Sequence, residues 1–546
     1  MKESDTFHIG LCMAGAISAG AYSAGVMDYL LEALEEWDAR RGEAGVPDHR
    51  VSISAMGGAS AGGMTALMTA AAINFPIGKV QLDPDNLLKE QPQNPFYHYW
   101  VDLTNEDMFA VMLDKSDLKQ KTIYSLFNSS FIDEIASRTI RSNLKAWLPK
   151  AYIPNNLKVF ATLTNLEGFK AAIPFTTASG VQTYIVSSHN DYGCFELNPI
   201  NPVSTGWIPL SFKDNINTTI AKEVAMATGA FPVGLRARKV SRPKKYIDQL
   251  SWLKDNIDAS TIINEPYNTL NIDGGLINNE PFERVREILS GVTGQHKTEE
   301  LNNYNVNKST VILIDPFPSE MEKFDADDHL FKVLGSTFSA MLSQLRIKPK
   351  DLIDAMSTDC AGQYLIAPTR CIKNAAGEDI KTEGSKAIAG GSFGGFGGFI
   401  DKEFRMHDYL LGRANCEKFL LDHFTVPADT DNPIFINGYS MADRAKFTSL
   451  TTGGLQIIPI FKKRANPFPL AKFSSGTDWP VSSERKINQY RLLMKQRIQS
   501  IILDTNNWDF LTKALLWIGL KVVINRKLAD LILGAIKKSF RKHQQL

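Results

Sequence analysis

Apolar residues in the first 75 positions of the chain fall into two short runs and two helical patterns. Residues 8–13 and 51–56 are short and apolar, which predicts buried strands. Between them, apolar positions in residues 27–34 recur at helical spacing, and the almost wholly apolar residues 64–73 predict a buried helix. The small residues 57–63 predict a tight turn before that helix. This order of elements indicates an α/β fold with a mainly parallel sheet.

The same kind of pattern continues to about residue 325. Apolar runs at residues 157–163, 182–187, 267–272 and 310–315 predict further strands. Apolar positions from residue 220 onwards predict a helix that ends near Pro232. We therefore predict a first domain over residues 1–325, in which the Pro- and Asn-rich residues 75–130 form an insertion over the core.

A mostly helical C-terminal region is predicted for residues 326–546, because a chain of 546 residues is too long for one ordinary core. Two of its segments differ from the rest. Residues 390–400 alternate glycine pairs with phenylalanine, which fits either a mobile lid or a turn whose phenylalanines fill a gap in the core. Residues 508–546 carry eight Lys and Arg against two Asp, which makes this tail basic.

The basic tail has two apolar stripes at helical spacing. They are Leu511, Leu515, Ile518 and Val522, followed by Leu528, Leu531, Ile532 and Ala535. Basic amphipathic helices bind anionic bilayers, so peripheral membrane contact through these helices is one interpretation. The other is a pair of helices that pack on the core and expose a basic face to solvent.

Composition narrows the class of protein. The formal net charge of +1 gives no overall field to attract nucleic acid, so we expect no nucleic-acid partner. The five cysteines are scattered without CxxC spacing, which predicts no zinc site and favours a reducing compartment. The chain begins with no secretory pattern and shows no convincing membrane span. We expect a cytoplasmic protein that touches a membrane at most from outside.

Residues 58–62 match the pattern G-x-S-x-G, with Ser60 between the glycines Gly58 and Gly62. Small residues let a strand turn sharply into a helix, and this strained turn lifts the serine hydroxyl to the edge of the sheet. The apolar strand before and the apolar helix after it are the context that the motif requires. We therefore predict that Ser60 is a nucleophile; the alternative is a close-packed turn whose serine only caps the helix.

A nucleophilic serine needs N–H donors for the oxyanion that forms during acyl transfer. The small residues 14–20 follow the first strand, and their N–H groups can reach the same crevice at the carboxyl ends of the strands. We predict that N–H groups near Gly15, Ala16 and Ala61 hold the oxyanion. The alternatives are a nucleotide-phosphate loop, although neither G-x-G-x-x-G nor the P-loop pattern is present, and a plain tight connection.

A serine also needs a base. No histidine lies in a small-residue turn at a strand end, and His296 is the least unsuitable of the nine. Asp273 follows an apolar strand and precedes Gly274 and Gly275, which leave its carboxylate room to reach inward. We therefore predict Asp273 as the base that accepts the serine proton. The alternative for this aspartate alone is an ordinary Asp-Gly β-turn.

The chain resembles the patatin-like phospholipases in four segments that follow that family's order, over about residues 7–285. They are Gly20-Ala21-Tyr22-Ser23-Ala24-Gly25-Val26, Gly58-Ala59-Ser60-Ala61-Gly62, Ala227-Thr228-Gly229-Ala230-Phe231-Pro232 and Asp273-Gly274-Gly275-Leu276. The resemblance implies a three-layer αβα fold and a Ser60–Asp273 dyad without histidine. It implies hydrolysis of acyl esters of lipids, with no metal and no organic cofactor.

The first loop departs from that family's usual G-G-G-x-R-G. Here the stretch reads Gly15-Ala16-Ile17-Ser18-Ala19-Gly20, so Ala19 replaces the arginine. Backbone N–H donors do not depend on side chains, whereas the loss of the arginine removes a possible phosphate contact. Two rival interpretations follow: a non-catalytic lipid-binding or scaffold protein that keeps the fold, and an α/β-hydrolase with a triad through His296. The single strand before Ser60 argues against the second.

Overall fold

The structure is a computed structural model. It describes residues 5–80, 93–102, 107–120, 122–140, 147–200, 203–254, 257–258, 262, 264–318, 333, 340, 363–373, 378–461, 472–504 and 525–546. The boundary predicted at residue 325 and the apolar stripe predicted at residues 511–522 lie outside these ranges. The division into domains therefore stays a prediction.

A nine-stranded sheet forms the centre of the described chain, in the order β5-β4-β3-β2-β1-β8-β9, with β7 beside β3 and β6 beside β7. The neighbours β1–β2, β2–β3, β1–β8, β8–β9 and β4–β5 are parallel, as predicted. The strands of the sheet are β1 (Thr6–Met13), β2 (Arg50–Gly58), β3 (Leu157–Thr177), β4 (Gly180–Leu197), β5 (Ile208–Leu210), β6 (Arg238–Arg242), β7 (Tyr267–Asp273), β8 (Ser309–Ile314) and β9 (Gln363–Ile366).

Helices cover both faces of the sheet and also form much of the described C-terminal region. They are α1 (Gly20–Arg40), α2 (Ser60–Ala72), α3 (Pro95–Tyr97), α4 (Met108–Leu113), α5 (Ser130–Thr139), α6 (Thr218–Thr228), α7 (Lys245–Asp248), α8 (Ser251–Lys254), α9 (Phe282–Thr293), α10 (Thr298–Leu301), α11 (Gly397–Ile400), α12 (Lys402–Asp422), α13 (Pro433–Gly438), α14 (Met441–Lys446), α15 (Glu484–Asp504) and α16 (Asn525–Lys542). Two small antiparallel sheets add β10 (Thr369–Lys373) with β11 (Asp379–Glu383), and β12 (Thr425–Val426) with β13 (Leu455–Gln456).

The side chains of β1 show why the fold has three layers. Successive residues of a strand point to opposite faces of a sheet. Ile9 and Leu11 belong to the apolar core that α1, α2 and α6 share. Cys12 belongs instead to the core that contains Val285 of α9, and a Cβ at Gly10 would lie 2.4 Å from Val285 Cγ1. The predicted αβα architecture is therefore confirmed, with both faces of the sheet buried.

Two details of the N-terminal prediction are wrong. The turn predicted over residues 57–63 is shorter, because β2 continues to Gly58 and α2 begins at Ser60 itself. Helix α6 ends at Thr228, before Gly229, and does not reach Pro232. Both boundaries lie in glycine-containing segments, and backbone hydrogen bonds set them. The apolar pattern of the sequence does not show where such a strand or helix begins or ends.

Strands β3 and β4 are far longer than the predicted runs at residues 157–163 and 182–187. They form an antiparallel hairpin that pairs Leu157 with Leu197 at its base and Thr177 with Gly180 at its tip. Residues 173–187 of this hairpin are exposed, including Phe175 and Tyr184, whose rings stack edge to face at 6.0 Å. Residues 182–187 of this exposed part are the predicted strand, whereas residues 173–181, which no core covers, lack the alternation that marks a half-buried strand.

The C-terminal region packs closely on the first domain. Strand β9 pairs with β8 at one edge of the main sheet. Helix α12 lies against α1, where Arg413 forms ion pairs with Asp28 and Glu32. The two backbones approach so closely that a Cβ at Gly412 would lie 2.2 Å from the carbonyl oxygen of Tyr22. The two regions therefore share one continuous apolar core.

The stripe predicted at Leu528, Leu531, Ile532 and Ala535 is out of phase with the face that α16 buries. The buried residues are Ala529, Leu533, Ile536 and Phe540, whereas Leu528 and Leu531 are exposed. The buried face packs in a core with α15 and α4, so the inner side of α16 is covered by protein. None of the helices in the described residues combines the length and the apolar character that crossing a bilayer requires.

The close contact between α1 and α12 generates a stability prediction. Gly412→Ala places a methyl group against the Tyr22 carbonyl, and overpacking of this kind costs about 1–3 kcal/mol. Gly291→Ala makes the same change in α9, where nothing lies within 4 Å, so it should stabilise by up to ~1 kcal/mol. Chemical denaturation measures both free energies of unfolding. Equal effects of the two substitutions would contradict the packing of α12 on α1.

Candidate active site

Ser60 lies in a sharp turn between β2 and α2, in the left-handed backbone region with φ of +51°. Such a conformation is strained for a residue with a side chain, and it is typical of a nucleophile elbow. A Cβ at Gly58 or at Gly62 would lie 2.3 or 2.1 Å from the carbonyl oxygen of Met13. Both glycines are therefore needed because the elbow presses against the end of β1.

Asp273 reaches the same place from the end of β7. Strand β2 occupies one edge of β3 up to the pair Gly58–Ala161, and β7 continues along β3 in the opposite direction from the pair Leu163–Asp273. The carboxyl ends of β2 and β7 therefore face each other along β3, and their β3 partners Ala161 and Leu163 are two residues apart. The Ser60 hydroxyl donates a hydrogen bond of 2.6 Å to Asp273 Oδ2.

The Asp273 carboxylate is held on its other side as well. Its Oδ1 accepts a hydrogen bond of 2.8 Å from the N–H of Gly275, and its own N–H donates to the carbonyl of Ala230 at 3.0 Å. The Thr164 hydroxyl donates to its carbonyl oxygen at 2.8 Å. Ser60 and Asp273 are 8% and 6% exposed, so the pair is buried but open to a cavity.

Thr228 is a part of the site to which the sequence analysis assigned no role. Its side-chain oxygen accepts a hydrogen bond of 2.9 Å from the N–H of Ser60, and the side chain is fully buried. This contact joins the last residue of α6 to the first residue of α2 and fixes the elbow. The segment around Thr228 resembles the family segment that precedes the aspartate, and this resemblance was the available signal.

The predicted oxyanion loop lies beside the serine. A Cβ at Gly15 would lie 3.0 Å from Ser60 Cβ and 2.4 Å from Asn279 Oδ1. Gly15 and Ala16 line the same cavity as Ser60, and the described residues supply no acceptor for their N–H groups. Ala61 lies in the first turn of α2, where N–H groups have no acceptor within the helix. These three N–H groups are available as donors to a bound group.

Asn279 is a second residue that the sequence analysis left without a role. It is buried, and its side chain lies between the first loop and the Asp273 turn, because a Cβ at Gly275 would be 2.6 Å from Asn279 Oδ1. Its amide donates to the Glu280 carboxylate. Asn279 therefore fills the space that any larger residue at position 15 or 275 would need.

A cavity of about 1150 Å³ opens over Ser60 and Asp273. The first loop and the Asp273 turn form one wall, with Gly15 and Asn279 among its residues. The other wall comes from the C-terminal region and includes Arg370, Trp479 and Lys542. The cavity therefore lies between the two regions that share the core.

A second, narrow cavity of about 70 Å³ meets the first one at the same pair, since Ser60 and Asp273 line both. Its other walls are mainly apolar. They include Met64, Met68, Tyr99, Trp100, Phe131, Ile132, Ile135, Leu235, Phe396 and Phe399. A cavity whose lining includes several charged side chains and a second, almost wholly apolar one thus meet at a buried serine hydroxyl.

The Gly-Phe segment at residues 390–400 forms part of the wall of these cavities. Its carbonyl at Gly395 accepts a hydrogen bond of 2.5 Å from Ser18, and Phe396 stacks on Phe231 at 5.7 Å. Arg405 donates to the Gly398 and Val101 carbonyls, and burial lowers the pKa of Arg405 to about 10. The segment is packed in this conformation, as the core-filling interpretation expects.

Within the described residues, neither His296 nor His543 forms a hydrogen bond with Ser60. His296 is exposed, beside Gln295, which binds the N–H of Lys308 before the amino end of β8. Ser60 follows the carboxyl end of β2, and β2 runs in the same direction as β8. His296 therefore lies at the opposite end of the parallel strands from Ser60. His543 lines the large cavity, and its Nδ1 contacts the Ser539 carbonyl at 2.9 Å. Among the described residues, no cluster of three metal-ligating side chains occurs.

Comparison with known proteins agrees with this geometry. The family model described as patatin-like phospholipase matches residues 11–286, which include Ser60 and Asp273. The chain therefore belongs to the patatin-like phospholipase family, a family of lipid acyl hydrolases. It is also 30% identical over 468 residues to the uncharacterized protein y4iI of Sinorhizobium fredii (strain NBRC 101917 / NGR234). That alignment covers 77% of this chain and 65% of the length of y4iI, so the chain spans less than two thirds of this relative.

Proposed function

We propose that this protein hydrolyses carboxylic esters of lipids through a Ser60–Asp273 dyad and an acyl-enzyme. The single observation that carries the proposal is the 2.6 Å hydrogen bond from the Ser60 hydroxyl to the Asp273 carboxylate. A carboxylate in direct contact can accept the serine proton without a histidine between them. Membership of the patatin-like phospholipase family supports the same chemistry and a lipid ester as the substrate class.

The reaction then has two halves. Ser60 Oγ attacks the ester carbonyl carbon while its proton passes to Asp273 Oδ2, and the N–H groups of Gly15, Ala16 and Ala61 bind the oxyanion. Collapse of this intermediate releases the alcohol, which takes the proton from Asp273 and leaves an acyl group on Ser60. Water attacks the acyl group, Asp273 accepts its proton, and the carboxylic acid leaves as Ser60 regains its proton.

Substitution of either member of the pair tests this scheme. Ser60→Ala should reduce hydrolysis of a short nitrophenyl ester to the buffer rate, since no acyl-enzyme can form. Asp273→Asn should lower kcat by about 10²–10⁴-fold, because the amide accepts no proton. His296→Ala, the matched control, should leave the rate unchanged. Full activity of Ser60→Ala would refute the dyad, and loss of activity in His296→Ala would favour a triad.

The rival interpretation is a lipid-binding or scaffold protein that keeps the fold without catalysis. Its supporting feature is the altered first loop, in which Ala16 and Ile17 replace glycines of the family pattern. Ile17 adopts φ of +49°, so the loop keeps a left-handed turn despite the side chain. A fluorophosphonate probe separates the two interpretations, because only an activated serine reacts with it. Unlabelled wild-type protein would favour the rival.

We propose that the narrow apolar cavity beside Ser60, with its volume of about 70 Å³, accepts the first carbons of the substrate's acyl chain. Its lining side chains are mainly apolar and come largely from α2, α5 and the Gly-Phe segment, whereas the lining of the large cavity also includes Arg370, Lys386 and Lys542. An ester carbonyl at Ser60 can therefore extend its acyl chain into one cavity and its alcohol part into the other. Burial of each methylene favours binding by about 0.8 kcal/mol.

A larger side chain in the narrow cavity should shorten the preferred acyl chain. Ile135→Phe fills part of the space, so we expect kcat/KM for a butanoyl nitrophenyl ester to fall roughly tenfold relative to the acetyl ester. Ile135→Val, the control, keeps the space open and should not reduce the ratio of the two rates. An unchanged ratio in Ile135→Phe would show that the acyl chain lies elsewhere.

We also propose peripheral contact with an anionic membrane through the outer face of α16. The inner face packs on the core, whereas Leu528 and Leu531 are exposed, and the exposed Lys527 and Lys538 lie on the same helix. The packed inner face fits the interpretation of a helix on the core, and the exposed outer face leaves room for the interpretation of membrane contact. Apolar side chains flanked by lysines fit the interface of an anionic bilayer.

Charge removal on this face tests the membrane contact. Each lysine near an anionic surface contributes about 1 kcal/mol, so Lys527→Gln with Lys538→Gln should weaken vesicle binding by roughly 30-fold. Co-sedimentation with phosphatidylserine-containing vesicles measures the affinity. Lys254→Gln with Lys297→Gln, which removes the same charge from exposed sites elsewhere, should have little effect. Equal losses in both double variants would contradict a role for α16.

A further inference from the structure

One wall of the large cavity is basic. Arg370 of β10, Lys386 of the turn after β11 and Lys542 at the end of α16 all line it. Asp273 carries the one carboxylate among the described lining residues. This carboxylate already accepts a hydrogen bond from the Ser60 hydroxyl. Three separate elements of the C-terminal region thus bring positive charge to the lining of the cavity.

Arg370 is the residue in this wall that most requires explanation. It is 8% exposed, and its guanidinium stacks over the Trp479 ring at 4.0 Å. Its Nε and Nη1 are buried and have no hydrogen-bond partner among the described residues. No carboxylate of the described chain lies within 4.0 Å of it, since Arg370 takes part in no ion pair there.

A buried guanidinium without an acceptor is energetically unfavourable. Arginine stays charged in proteins, and each buried donor that lacks a partner costs free energy of desolvation. Burial lowers the pKa of Arg370, and the charge of Asp478 acts in the opposite direction. Arg242, by comparison, is also buried but forms two hydrogen bonds to the Asp191 carboxylate, at 2.9 and 2.6 Å. Arg370 has the same donors, and the described part of the chain offers it no such carboxylate.

We propose that Arg370, with Lys386 and Lys542, forms an anion subsite that binds a phosphate group beside the candidate serine. The planar guanidinium offers two parallel N–H donors that match two oxygens of a phosphate, and the lysines add charge at the mouth. Stacking on Trp479 holds the guanidinium in place, so little conformational entropy is lost on binding.

The placement of the subsite assigns the phosphate to the substrate. Arg370 and Ser60 line one cavity, and the apolar cavity leaves Ser60 on its other side. An ester with its acyl chain in the apolar cavity directs its alcohol part towards Arg370. This step rests on the proposed function, whereas phosphate binding itself does not. The favoured substrate is an acyl ester whose alcohol carries a phosphate, in preference to a neutral acylglycerol.

Two esters with the same acyl chain test the specificity. The wild type should hydrolyse 1-acylglycerol phosphate with higher kcat/KM than 1-monoacylglycerol. Arg370→Met should lower kcat/KM for the phosphate ester roughly 10- to 100-fold and change that for the neutral ester less than about threefold. Arg236→Met, the matched control, removes a guanidinium that also stacks at 4.0 Å, over Tyr124, but does not line the cavity. Equal losses on both esters, or no preference in the wild type, would overturn the proposal.

Binding without turnover separates this proposal from the proposed reaction. The Ser60→Ala protein should bind a non-hydrolysable ether analogue of acylglycerol phosphate, and Ser60→Ala with Arg370→Met should bind it at least tenfold more weakly. Lys386→Gln, an exposed change that should not disturb folding, should weaken binding a few-fold. Inorganic phosphate alone should bind much more weakly than the ether lipid if the source is a lipid headgroup. Inorganic phosphate that binds as tightly would assign the site to a free anion, and affinities independent of Arg370 would overturn it.

Discussion

The pairing of β3 with two strands along one edge is the constraint on which the site depends. Strand β2 runs beside β3 up to Ala161, and β7 begins its pairing at Leu163 from the opposite direction. Because the two strands end against each other, the residues that follow them share one crevice. Ser60 and Asp273 are 213 positions apart in the chain, yet their side chains form a 2.6 Å hydrogen bond. The local glycines then decide how closely the turns approach, since Gly58 and Gly62 contact the end of β1 and Gly274 contacts the Thr162 carbonyl.

The C-terminal region completes the site. Helix α12 packs against α1 with almost no space between the backbones, and Arg413 neutralises Asp28 within that contact. This packing fixes β10 and the Gly-Phe segment over the sheet edge that carries Ser60. The large cavity therefore has one wall from residues 15–279 and another from residues after 317. The chemistry that we propose for the pair thus depends on both regions, although the family match covers only the first.

The sequence allowed most of the core and the elbow to be predicted, because their signals are local. Alternating or continuous apolar runs marked β1, β2, β7 and β8, and the small residues around Ser60 marked the sharp turn. Long-range features left no such signal. Thr228 and Asn279 act through contacts that only the folded chain creates. Residues 173–181 at the exposed tip of the β3–β4 hairpin have no core to cover them, so no half-buried pattern marks them as strand.

Arg370 illustrates the same limit for specificity. Replacement of the loop arginine by Ala19 predicts the loss of a phosphate contact, whereas the fold brings a different arginine to the cavity from 351 positions further along the chain. The account as a whole stands on the covalent role of Ser60, and trapping of the intermediate tests it most directly. After rapid acid quench of a reaction with an acyl ester, mass spectrometry of the peptides should find the acyl group on Ser60. An acyl group on any other residue would contradict the account.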